Sequence, residues 1–196
     1  MPTSESTTSE KTVLCRGERF SIYLDEATIQ ARIQEIGQEI NTAYEGKTPI
    51  FIGVLNGSFM FLADLMRAVE IDCEVDFWKL SSYGAEKVSS GKVTELKKVD
   101  AQLEGRHVII VEDIVDTGLS MQYILDRMRA YNPASIRVAT LLHKPEATTV
   151  DVQLDYVGFS IPKRFVLGYG LDFGQLGRNL REIYIQDEGH DNGEER

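Results

Sequence analysis

Val108-Ile109-Ile110-Val111-Glu112-Asp113-Ile114-Val115-Asp116-Thr117-Gly118-Leu119-Ser120 decides how this chain folds. It opens on four consecutive β-branched apolar residues, the pattern of a strand buried on both faces of a parallel sheet. Three carboxylates, Glu112, Asp113 and Asp116, follow where that strand is expected to end, and the chain then turns into a helical stretch from Met121 to Tyr131. Ligands of open α/β sheets sit just beyond the carboxyl ends of the strands. Gly118 lets the backbone turn and approach a ligand closely. Thr117 and Ser120 bring hydroxyl donors, and the first amides of the following helix are unpaired at the positive end of its dipole. That combination suits a phosphate. The carboxylates suit ribose hydroxyls, a hard metal such as Mg2+, or proton transfer. A phosphate cradle beside carboxylates points to a phosphorylated sugar. Asp-Thr-Gly alone reads equally well as an ordinary strand–turn–helix joint with solvated acids; the specificity lies in the whole run.

Outward from this segment, strands alternate with helices. Upstream, Pro49 opens a strand from Ile50 to Leu55, which runs through Asn56-Gly57-Ser58 into a helix from Phe59 to Val69, with Ser58 as its expected N-cap. On residues alone this is a simple strand–helix joint. Further back, Asp25 is the expected N-cap of a helix reaching roughly Tyr44, and Ile29, Ile33, Ile36 and Ile40 recur at helical spacing as core positions. Val13 to Tyr23 reads as a short strand and loop, preceded by a Ser/Thr/Glu-rich segment. Ile71 to Phe77 alternates, with Ile71, Cys73, Val75 and Phe77 on the buried side of a half-buried strand at or near a sheet edge. The polar stretch after Ser81-Ser82-Tyr83-Gly84 reads as a surface loop or loose hairpin.

Downstream, Ile136 to Leu142 is an expected buried strand that stops at His143-Lys144-Pro145. Lys144 thereby lies near a strand end, a better place for a functional lysine than a solvated surface, whereas His143 is read as structural. Leu154 to Phe159 is another strand. The glycines of Phe165-Val166-Leu167-Gly168-Tyr169-Gly170-Leu171-Asp172 imply tight turns and close backbone approach. On residues alone Phe165 is a core aromatic and Arg178 a surface cation. The expected class is α/β, with a mainly parallel doubly wound sheet and a small hood lobe built from N- and C-terminal pieces. The expected organisation is a disordered tail over 1–12, one domain over 13–186 and an acidic tail over 187–196.

With 21 basic against 31 acidic residues, the net charge of −10 argues against a nucleic-acid-binding surface. It leaves room for an anionic small molecule, which needs only a few local donors. Cys15 and Cys73 have neither disulfide-framework nor metal spacing, no apolar run approaches membrane-spanning length, and the N-terminus lacks a signal pattern, so a cytoplasmic protein without a membrane partner is expected.

The central run closely resembles the phosphoribosyl-pyrophosphate (PRPP) signature of the type I phosphoribosyltransferases, in particular the hypoxanthine/guanine branch, whose version reads V-E-D-I-V-D-T-G followed by a variable residue and Thr or Ser. Three further segments match in order, so the resemblance spans roughly Val13 to Ile185. It implies transfer of a 5-phosphoribosyl group from PRPP, with Mg2+, to N9 of a 6-oxopurine, giving IMP or GMP and pyrophosphate. Glu112 and Asp113 would hold ribose hydroxyls or the metal. Asp116, Thr117, Gly118, Leu119 and Ser120 would cradle the 5′-phosphate, with Asp116 also managing the proton at purine N7. The turn at Asn56 and Gly57 would meet the pyrophosphate through its backbone. In the family a non-proline cis peptide can precede the residue that is Asn56 here, where Lys or Arg is frequent; a backbone role survives that change and a side-chain charge does not. Lys144 would donate to the purine O6, Phe165 would stack on the base, and Val166 would meet its edge. Asp172 would lie near metal and base, Arg178 would contact pyrophosphate, and Ser82-Tyr83 would open a closing loop. Relatives are commonly dimers or tetramers, which implies a homodimer or homotetramer. Two other classes stay open on sequence: a sensor that binds PRPP without turnover, and a flavodoxin-like nucleotide-binding module. A phosphoribosyltransferase for xanthine or adenine is the nearest alternative within the class.

Overall fold

The computed structural model describes residues 11–80 and 95–187. The chain begins with an antiparallel hairpin, β1 (Thr12–Cys15) and β2 (Glu18–Leu24). Helix α1 (Glu26–Ala43) is started by Asp25, whose carboxylate accepts the Thr28 amide at 2.7 Å. Then come β3 (Ile50–Leu55), α2 (Phe59–Ala68), β4 (Glu74–Leu80), the short β5 (Glu95–Lys97), β6 (His107–Val115) and α3 (Leu119–Arg129). The remainder supplies β7 (Ser135–His143), a 3-10 turn at Pro145–Ala147, β8 (Tyr156–Ser160), β9 (Val166–Leu167) and β10 (Ile183–Gln186).

Six strands form the main sheet in the order β5-β4-β3-β6-β7-β8, all parallel except β5. Helices cover both faces. Phe51, Ile109 and Val111 point into a core shared with α1 and α2, while Ile50, Ile52, Val108 and Ile110 point into one shared with α3. Two apolar faces per strand explain why residues 108–111 show no alternation. The four isoleucines of α1 are fully buried, each contributing about 2 kcal/mol of transfer free energy. Gly37 lets α1 approach α2, since a Cβ there would lie 2.6 Å from the Cβ of Ala68.

A second, four-stranded sheet in the order β1-β2-β10-β9 forms the hood from both ends of the chain, around Phe20, Leu167 and Tyr184. It takes in a residue of each expected tail. Thr12 pairs with Ser21, and Asp187 accepts the Ser21 hydroxyl at 2.6 Å while its amide donates to the Arg19 carbonyl at 3.0 Å.

Other expectations need correction. Ser58 occupies the N-cap position of α2, but its hydroxyl donates back to the Val54 carbonyl at 2.7 Å and caps no amide. Of the alternating run into β4, Ile71, Cys73 and Phe77 pack against the α1–α2 core as expected, but Val75 is exposed; Trp78, just beyond the run, is buried against the α3-side core. The strand is covered on both sides because β5 extends the sheet beyond it. Strand β6 does not end at its first carboxylates; its ladder with β7 continues through Ile114↔Leu142 and Val115↔His143.

The strand order fixes where a ligand can sit. From β3 the chain steps outward to β4 on one side, and β6 then returns to pair with β3 on the other. The topological switch point therefore lies between β3 and β6, and the crevice beyond it is flanked by the Asn56-Gly57 and Asp116–Ser120 turns.

Candidate active site

Glu112 and Asp113 lie within β6, at the edge of this crevice. Burial, reinforced by the charge of Asp113, pushes the Glu112 carboxyl well above the ordinary range. Burial also raises Asp113, against the opposing hydrogen bond from Glu112 and the amide of Ile114, which donates to it at 2.9 Å. Gly57 sits against this carboxylate: a Cβ there would fall 1.6 Å from Oδ2 of Asp113. The Leu55–Asn56 peptide is cis, as the resemblance implies. On the other side of the turn, a Cβ on Gly170 would come within 2.2 Å of the Gly57 carbonyl oxygen. Three segments distant in sequence thus meet around the Gly57 backbone.

The phosphate-type turn follows β6. Gly118 takes φ +85° at the N-cap of α3, a conformation that L side chains resist, and a Cβ there would also strike the Val150 carbonyl at 2.3 Å. Asp116, Thr117, Leu119 and Ser120 are exposed, and a small cavity of about 90 Å³ lies among Glu112, Ile114, Asp116, Thr117, Gly118 and Ser120. The turn is braced from behind by a segment that sequence reasoning missed. The amides of Thr149 and Val150 donate to the Thr117 carbonyl at 3.0 and 3.1 Å, and the Thr148 hydroxyl donates to the Asp116 carbonyl at 3.2 Å. His143 contacts the same Thr148 hydroxyl at 3.1 Å, in keeping with its structural reading.

Lys144 leaves β7 beside this turn. Its amide extends the ladder to the Val115 carbonyl at 3.0 Å, and its side chain is 10% exposed, so it is not a solvated surface lysine. Its ammonium donates to Asp116 Oδ2 at 3.1 Å. A buried cation and an exposed carboxylate, on adjacent parallel strand ends, present one donor and one acceptor to the same space.

The hood side carries the aromatic residue. Phe165 is 42% exposed, and its ring packs edge-on against Phe173 at 5.3 Å and Phe20 at 6.2 Å between centroids. Phe20 and Phe173 were not among the sequence candidates: Phe20 orients the Phe165 ring from the other end of the chain, and Phe173 does so from within the same irregular loop, where no helical or strand period marks it. Val166 is buried and paired with Ile185. Asp172 and Arg178, which carry separate expected roles, are bonded to each other: Arg178 Nη2 reaches Asp172 Oδ1 at 2.6 Å, and Nη1 donates to the Gly170 carbonyl at 2.8 Å. Ser82 and Tyr83 lie outside the described residues.

Among the described residues, Glu112, Asp113 and Asp172 do not form an all-protein metal cage. The donor set fits a hard cation that keeps most of its waters and takes further oxygens from a substrate diphosphate, the usual habit of Mg2+.

Residues 21–174 match the phosphoribosyl transferase domain family. The chain is 42% identical over 164 residues to the hypoxanthine-guanine phosphoribosyltransferase of Bacillus subtilis, covering 84% of this chain and 91% of that protein. It matches the bifunctional protein TilS/HprT of Listeria monocytogenes at the same identity, spanning 25% of that protein's length. A crystal structure of a hypoxanthine-guanine phosphoribosyltransferase from Bacillus anthracis, with a HEPES molecule in the active site, superposes with a TM-score of 0.79 at 40% identity, over 84% of this chain and 96% of that one. With the crevice, the turn and the relatives in agreement, the chain belongs to the hypoxanthine-guanine phosphoribosyltransferase family.

Proposed function

We propose that this protein transfers the 5-phosphoribosyl group of PRPP to N9 of hypoxanthine and guanine, releasing pyrophosphate and forming IMP or GMP, a purine-salvage reaction. The observation that carries the reading is the Lys144–Asp116 pair, 3.1 Å apart beside the phosphate-type turn. An ammonium offers only donors, so Lys144 selects a 6-oxo group over the 6-amino group of adenine. Asp116 is the acceptor for the N7 proton, acting as general base.

The amides and hydroxyls of the Thr117–Ser120 turn bind the 5′-phosphate. Glu112 and Asp113 bind the ribose hydroxyls and favour positive charge developing at the anomeric carbon. Phe165 covers one face of the base, and Val166 meets its edge through the backbone. The Asn56-Gly57 backbone and the forked guanidinium of Arg178 receive the pyrophosphate, for which Arg178 exchanges Asp172. Asp172, Glu112 and Asp113 would hold Mg2+, which when bound would offset the charge of the leaving pyrophosphate. Residues 13–186 form the catalytic unit, assembled as a homodimer or homotetramer, which light scattering on the purified protein would measure. No helix among the described residues is long and apolar enough to cross a membrane.

The test is to combine the protein with PRPP, Mg2+ and, separately, hypoxanthine, guanine, xanthine and adenine, and to measure nucleoside monophosphate. Turnover of hypoxanthine or guanine with adenine inert is expected. Tight PRPP binding without turnover of any base would overturn the reading in favour of a sensor.

A further inference from the structure

Gly168, Tyr169 and Gly170 take φ values of +104°, +49° and +98° in succession. The glycines adopt such angles freely, but a tyrosine does not. A non-glycine residue in this region needs surrounding contacts to hold it there. Those contacts are specific. The Tyr169 ring is 3% exposed within the core shared by α1 and α2. Its hydroxyl donates to Asp64 Oδ2 of α2 at 2.6 Å, an oxygen that also accepts from Gln30 of α1 at 2.6 Å. The other oxygen, Oδ1, pairs with Arg67 at 2.5 Å. Burial, with the Asp64 charge adding to it, raises the Tyr169 hydroxyl far above its ordinary range, so it stays a neutral donor.

The backbone on either side of this side chain meets the site. The Tyr169 amide donates to the Leu180 carbonyl and the Gly170 amide to the Arg178 carbonyl, both at 2.9 Å, zipping the loop to the Arg178 segment. Gly170 packs on the Gly57 carbonyl, and its own carbonyl accepts from Arg178 Nη1 at 2.8 Å. We propose that Tyr169, anchored through Asp64 to α1 and α2, is a positioning residue that sets the pyrophosphate-side register of Gly57 and Arg178 from outside the site. Its phenolic oxygen is bonded to Asp64 and reaches no reacting group, so it acts on substrate only through Gly170. The inference rests on the assignment of Gly57 and Arg178 to the pyrophosphate of PRPP.

The experiment compares Tyr169→Phe, Asp64→Asn and Arg178→Gln for KM of PRPP, KM of hypoxanthine, kcat and thermal midpoint. Tyr169→Phe keeps the ring and its packing and removes one charge-assisted hydrogen bond. It is expected to raise KM for PRPP about fivefold while KM for hypoxanthine moves less than about twofold. Asp64→Asn leaves a neutral acceptor for the Tyr169 hydroxyl and is expected to give the same split at smaller size; in the Tyr169→Phe background, adding Asp64→Asn should raise KM for PRPP no further, because the tyrosine contact is already gone. If Arg178→Gln leaves KM for PRPP unmoved, the assignment of the pyrophosphate side fails. If Arg178→Gln raises it but Tyr169→Phe lowers only the thermal midpoint, or raises both KM values equally, the positioning role is overturned while the site assignment stands.

Discussion

The two sides of the crevice are built by different rules. The Asp116–Ser120 turn joins one strand to the helix that follows it directly, and its key features are local: a glycine at φ +85°, an exposed hydroxyl-rich turn and a fresh helix N-terminus. The Phe165–Arg178 loop has almost no regular structure. Its shape depends on Asp64, Gln30, Gly57, Phe20 and Arg16, all more than 100 residues away, with Arg16 bonded to the Gly174 carbonyl at 2.9 Å. Local rules suffice for a phosphate, which needs amides and a dipole. Placing a ring, a guanidinium and a carboxylate for a base and a diphosphate needs the rest of the fold. Substitutions on the first side should therefore act on chemistry or on one contact, and those on the second should spread.

Asp116→Asn should have the largest effect, keeping the shape and the bond to Lys144 while removing the base. Turnover is expected to fall by at least ~10²-fold with KM for PRPP largely kept. Single-turnover assays of monophosphate formation would measure it, and unchanged turnover would remove Asp116 from that role.

Lys144→Gln comes next. Losing a charge-assisted donor to O6 should raise KM for hypoxanthine by ~10- to 100-fold. The same change should narrow discrimination against adenine, because a carboxamide also offers an acceptor. Equal losses for PRPP and base in steady-state kinetics would mean that Lys144 only braces the turn.

Gly170→Ala tests the spreading side. An alanine there must hold φ +98° with its Cβ 2.2 Å from the Gly57 carbonyl oxygen. A stability loss of about 1–3 kcal/mol is expected together with a higher KM for PRPP. A drop in thermal midpoint with both KM values unchanged would show that the Gly170–Gly57 contact does not reach the site.

The same contrast explains what the sequence conveyed. Residues 108–111 announced a doubly covered strand because burial on both faces leaves no polar position. Asp25 and the α1 isoleucines were readable because caps and helical periods are local. Ser58 looked like a cap, but the nearer Val54 carbonyl took its hydroxyl, a choice that composition does not record. Val75 is exposed against its place in the alternating run, and Trp78 beyond that run is buried, because β5 and α3 decide which part of β4 is covered. Lys144 was legible by position and Arg178 only through the resemblance. Tyr169 and the 148–150 brace were missed, since their roles exist only in contacts between distant segments.

A long-range tie that avoids the site should cost stability alone, and Asp76 offers that control. Its Oδ1 accepts from Lys97 at 2.9 Å, and its Oδ2 accepts the amides of Asp100 and Ala101 at 2.6 and 2.9 Å, fastening β5 and the following turn to β4. Burial would push this carboxyl up, but the hydrogen bonds from Lys97, Ala101, Phe77 and Asp100 outweigh it and bring it to about 2, below its ordinary 3.8. A carboxyl lowered on folding stabilises the protein above its unfolded value, so the contribution is fully present at neutral pH and is lost as pH falls from about 4 through 2. Solvent screening at the partly exposed Lys97 reduces it to about 1–2 kcal/mol. Asp76→Asn should accordingly lower the thermal midpoint at pH 7 by several degrees, with the difference from the parent protein shrinking toward pH 2. KM for PRPP and for hypoxanthine should not move, since none of the assigned site residues joins this network. A pH-independent destabilisation would show that Asp76 acts through packing rather than charge, and a raised KM would place β5 on the same spreading side as the Phe165–Arg178 loop.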